Sequence, residues 1–80
     1  MNEQEKKNIR EAKIKEHETA IYMETLALAE FDAVLAAMAE VPETVREQFK
    51  REYETHRDGC IGRLALAQTK LKALQSILAV

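Results

Sequence analysis

The sequence predicts an all-α fold, a long antiparallel helical hairpin dimerising into a four-helix bundle. Three observations carry that expectation. Residues 3 to 39 contain neither glycine nor proline. Apolar residues recur every three or four positions on both sides of the single proline, Pro42, the spacing of an amphipathic helix face. Finally, a chain of 80 residues is too short to bury much surface on its own.

The first helix is expected over about residues 3–39. Asn2 suits its N-cap, and Glu3 and Glu5 fall at the positive end of the helix dipole. Its apolar stripe is Ile14, His17, Ile21, Leu28, Leu35 and Met38. A turn follows at 40–43. Pro42 fits the first turn of the next helix, where its missing N–H costs nothing, and Thr44 with Glu47 offers a capping box as an alternative start. A link this short makes the two helices antiparallel neighbours, so that residue i falls near residue 84 − i.

The second helix is expected over about 44–79. Its stripe runs through Val45, Phe49, Tyr53, His56, Cys60, Leu64, Ala67, Leu71, Leu74 and Leu78. Two successive steps of four around Cys60 form a stutter, and here Gly59 and Gly62 interrupt the sequence. A glycine within a helix costs roughly 1 kcal/mol relative to alanine, so the helix is expected to bend or break near 58–62. Asp58–Gly59 is the natural point of a break. The whole of 1–80 reads as one domain.

The dimer follows from the distribution of charge. Residues 1–19 are mixed-charge helix surface, whereas 20–39 is apolar nearly all round, with Leu26, Ala29, Ala33, Val34 and Ala37 off the main stripe. The second helix reverses that order, charged over 43–58 and apolar over 59–80. A helix that is apolar on every side is a buried helix, and one hairpin cannot bury it. A second hairpin with its turn at the opposite end would set one chain's 20–39 beside the other's 60–80, and Gly59 and Gly62 would let the backbones approach.

Composition limits the function. The net charge of −2, from 12 basic and 14 acidic residues, provides no basic footprint for nucleic acid. Two tyrosines, two phenylalanines and no tryptophan are a poor stacking platform for bases. Glu24, Glu30 and Asp32 interrupt the longest apolar stretch, which argues against a membrane span. The single cysteine, Cys60, fits a reducing cytoplasm, and no basic-then-apolar leader opens the chain.

Chemistry-bearing residues are few. His56 and Cys60 lie one helical turn apart, yet no H-E-x-x-H, C-x-x-C or Glu-x-x-His pattern accompanies them. No metal, cofactor or catalytic residue is therefore expected, and the chain reads as a non-enzyme. Arg57 and Arg63, with His56, Gly59 and Gly62, would form a site for an anionic ligand such as a nucleotide if the helix restarted at Asp58–Gly59 and exposed N–H groups. An acidic ridge around the turn, Glu24, Glu30, Asp32, Glu40, Glu43 and Glu47, would steer a basic partner, with Glu30, Asp32 and Glu40 as its binding residues. Helical-hairpin dimers of this size resemble, in architecture, plasmid-encoded RNA-binding regulators and several short phage proteins; no sequence motif carries that likeness. The leading expectation is a homodimeric interaction protein of phage or mobile-element type, an inhibitor, adaptor or regulator that binds a larger protein. The alternative is a binder or sequestering protein for an anionic small molecule at the oligomer interface near Arg57 and Arg63.

Overall fold

In the computed structural model, which describes residues 1–79, two long helices run antiparallel. Helix α1 spans Glu3–Ala36 and helix α2 spans Glu43–Leu78. A short 3-10 turn, Met38–Glu40, joins them. The hairpin is a rod of 63 × 17 × 15 Å.

Helix α1 begins as its sequence dictates. The Asn2 side chain accepts a hydrogen bond from the Glu5 backbone N–H at 2.8 Å, so one otherwise unpaired donor of the first turn is satisfied. The helix ends three residues earlier than the sequence pattern suggests, and Pro42 is the cause. A residue before proline is pushed out of the helical region, and Val41 is extended at φ −78°, ψ 138°. The chain must therefore leave the α-helix before Val41. It does so through the tighter 3-10 turn, which swings Met38 inward until only 5% of it is exposed. Arg46, one turn into α2, reaches back and donates to the carbonyl oxygens of Ala39 (3.2 Å) and Val41 (3.0 Å). These two loop carbonyls thus find partners without a capping box. Pro42, whose ring carries no hydrogen-bonding group, takes the cap position, and Thr44 lies inside the helix.

Helix α2 continues without a break through Gly59 and Gly62, and neither glycine has a positive φ. Of the two outcomes expected at 58–62, a bend or a break, the break does not occur: α2 is one helix across these positions. The intrinsic cost of two glycines is small beside the tertiary contacts that hold the helix on either side of them. A β-carbon on Gly62 would meet nothing within 4 Å, and one on Gly59 would touch only the Arg63 guanidinium at 3.3 Å. Neither glycine is required for close approach of α1.

The seam between the helices follows the expected register. Phe31 meets Tyr53 edge-on, with ring centroids 6.0 Å apart, and stacks on His56 at 6.2 Å. Glu24 meets Cys60. Burial is slight, however: among the described residues only Met38, Cys60 and Ala67 are buried, while Met23, Leu26 and Leu66 remain more than half exposed.

Because Gly62 occupies ordinary helix in open space, Gly62→Ala is expected to raise stability by about 0.5–1 kcal/mol. Gly59→Ala should gain less, since its methyl group must displace the Arg63 side chain. Urea denaturation followed by circular dichroism measures both, and a loss of stability in Gly62→Ala would contradict the continuous helix.

Candidate functional site

A polar cluster of the seam lies at mid-rod and joins Glu24 of α1 to Cys60 and Arg63 of α2. Its placement follows from helical spacing. From Ile21, a step of three lands on Glu24, and steps of four and three then reach Leu28 and Phe31. A carboxylate thus occupies a position where its neighbours are apolar. On α2, the stutter brings Cys60 to the centre of the seam, where it is 0% exposed.

Both atoms of the cluster that need partners have them. The Cys60 Sγ lies 3.1 Å from the Glu24 carbonyl oxygen and 3.1 Å from Glu24 Oε2, so its one proton is shared between two acceptors. Arg63 Nε donates to Glu24 Oε1 at 3.0 Å. Hydrogen bonding from Cys60, then from Arg63, holds the Glu24 carboxyl below its usual value of 4.5. Burial, reinforced by the carboxylate beside it, pushes the Cys60 thiol above its usual 9.0. A protonated thiol enclosed in this way is a poor nucleophile. Cys60 acts here as a small seam residue with a hydrogen-bond donor.

The second ion pair crosses the seam toward the turn. Arg57 Nε donates to Asp32 Oδ1, and this hydrogen bond, with the adjacent charge of Asp32, raises the already high pKa of the guanidinium. Both arginines of the expected anion site are therefore engaged within the chain. The unbroken helix also pairs the N–H groups that a restart at Asp58–Gly59 would have exposed. His56 stacks on Phe31, and Gly59 and Gly62 are exposed helix positions.

Helix geometry likewise separates the acidic residues. Glu30 and Asp32 are two positions apart, so they point about 160° from one another around α1. Asp32 faces Arg57, whereas Glu30 borders a concavity with Phe31, Val34 and Tyr53 on another side. Glu40 is exposed in the 3-10 turn. The three do not form one continuous ridge.

Sequence reasoning assigned Glu24 to the acidic surface and missed its place in the seam. Its heptad position between Ile21 and Leu28 was the available signal. Among the described residues, no group of three or more His, Cys, Asp or Glu side chains could hold a metal ion, and no helix is long and apolar enough to cross a membrane. No protein-family model matches the chain, and neither curated proteins nor solved structures yield a match.

The depressed Glu24 pKa fixes the sign of an acid effect. Its contribution to stability is complete above the usual carboxyl pKa of 4.5 and is lost as the pH falls through the lower folded value. Glu24→Gln is therefore expected to flatten the pH dependence of unfolding below about pH 5, measured by urea titration at successive pH values. In the native chain, Cys60 is expected to react with an aromatic disulfide reagent at the rate of unfolding, and immediate reaction would contradict its enclosure.

Proposed function

We propose that the chain is a non-enzymatic interaction module, a homodimeric four-helix bundle that acts in the cytoplasm by binding a larger protein as inhibitor, adaptor or regulator. One observation carries the dimer. The accessible surface of the hairpin is 6245 Å², whereas a compact monomer of its 9.1 kDa mass has about 4,900 Å². The difference, about 1,300 Å² per chain, exceeds the ~800 Å² that each partner contributes to a standard stable interface. Much of the uncovered surface is apolar, including Met23 at 63% and Leu66 at 54% exposed. A rod with this much apolar surface outside its seam is the shape of half a bundle.

The larger protein partner is supported more indirectly. The polar groups at mid-rod are committed to one another, which favours recognition by surface over chemistry at a site. Glu30 and Glu40 remain at the surface around the turn and would favour a basic partner. The anionic-ligand reading would require Arg57 and Arg63 to leave Asp32 and Glu24, and it ranks second for that reason.

Native mass spectrometry with sedimentation equilibrium tests the dimer. The expected result is about twice the chain mass at micromolar concentration; a monomer throughout that range would overturn the reading. Glu40→Lys should preserve the dimer, and a dimer lost with it would place the turn inside the bundle.

A further inference from the structure

The proposed dimer leaves open which side of the hairpin is covered and how the two copies are oriented. Three shallow concavities answer the first question. One, of about 320 Å³, is flanked by Glu16, Ala20, Arg63, Leu66 and Lys70. Near the turn, another is flanked by Val34, Val41, Phe49 and Glu52. Ala20 and Val34 are two heptads apart, as are Phe49 and Arg63, and Glu52 and Leu66. Residues two heptads apart return to the same side of a packed helix, so these concavities lie along one side of the rod. The third concavity shares Val34 and Tyr53 with the one at the turn and adjoins it. Ile61, by contrast, is five positions from Leu66 and points about 140° away from it.

We infer that this grooved side receives a second copy of the chain with both turns at the same end, the reverse of the orientation that the charge distribution alone suggests. The inference rests on the dimer proposed above. In a same-end bundle, each α1 packs against the second copy's α2 at the level it already shares with its own. The residues flanking the groove then meet complementary residues. Glu16 meets Lys70, and Ala20 meets Leu66, a small residue against a large one. At mid-rod Ala27 meets Gly59, a pairing of two small residues. Ala37 meets Phe49 beside the turn. Each pairing occurs twice about the two-fold axis, as a self-complementary interface demands.

The opposite-end arrangement loses this match. On this face an opposite-end copy with full overlap stacks α1 on α1 and sets both Val34 and Ala27 near lysines, Lys6 and Lys13, whereas the same-end copy sets only Val34 beside a charge, Glu52, and Ala27 beside Gly59. The surface excess of about 1,300 Å² per chain is large enough for the groove and its flanks to be covered. Arg63, on the groove wall, enters such an interface already paired with Glu24, so its charge is not left uncompensated.

Two measurements test the orientation and the face. Glu43→Cys in a Cys60→Ser background carries a spin label at the turn; serine keeps a donor for Glu24. Same-end dimers bring the two labels within about 30 Å, given interaxial distances of ~10 Å. Opposite-end dimers separate them by a distance comparable to the 63 Å rod. A distance below 30 Å supports the inference, and one near the rod length overturns it while leaving the dimer intact. A chain that is monomeric by mass overturns both. With the native Cys60 retained, Leu66→Glu is expected to weaken the dimer by about 30-fold or more, whereas Ile61→Glu leaves the dissociation constant unchanged. The reverse pattern would assign the interface to the other side.

Discussion

Two helices touch along one line. This geometric limit governs the whole molecule, because a chain of 80 residues spent on two rods has only one seam in which to hide apolar side chains. The half-buried state of Ile14, Ile21, Leu28, Leu64 and Leu71 follows directly. These residues face the partner helix on one side and solvent on the other. Only where the geometry tightens do side chains become buried: at the 3-10 turn, which folds Met38 inward, and along the seam at Cys60 and Ala67, which are small enough for α1 to close over them. The apolar surface left over is what a single seam between two helices cannot cover.

Within that seam, polarity supplies what shape cannot. Apolar residues repeated every three or four positions allow one helix to slide along the other by a heptad with little penalty. Glu24 removes that freedom. A shift of seven residues would set its carboxylate against Ala67 or Tyr53 and would deprive it of both Cys60 and Arg63. A single polar residue in an otherwise apolar seam specifies register in this manner in coiled coils generally. Asp32 with Arg57 adds a second fixed point, eight residues nearer the turn on α1. The seam therefore gains its definition from two exposed or half-exposed charge pairs whose direct contribution to stability is modest.

The hairpin itself was legible in the sequence, down to the level at which Phe31 meets Tyr53. Periodicity and one proline suffice for that, since both act through local backbone geometry. Less legible was the end of α1, where Met38 continues the apolar stripe but belongs to a 3-10 turn. There the constraint came from Pro42, four residues later, and periodicity does not register it. The glycines left a break open for a related reason. Helix propensity weighs each residue alone, and contacts from Cys60 and Ala67 hold α2 together across the intervening positions. Glu24 was read as surface because it is charged, although its spacing placed it in the seam. Arg57 and Arg63 looked available for an anion because their partners lie 25 and 39 positions away, beyond the reach of any local pattern.

The clamp that Arg46 places on the turn has a consequence for how the molecule assembles. Contacts near the turn join residues separated by only a few positions, whereas Glu24 and Cys60 are 36 apart and the helix ends are farther still. Loop-closure entropy rises with each of those separations. The turn is thus the least costly place to begin, and every pair formed there shortens the loop that the next pair must close. The chain is built to zip from Pro42 outward, and to fray in the opposite direction, from its two ends toward the clamp.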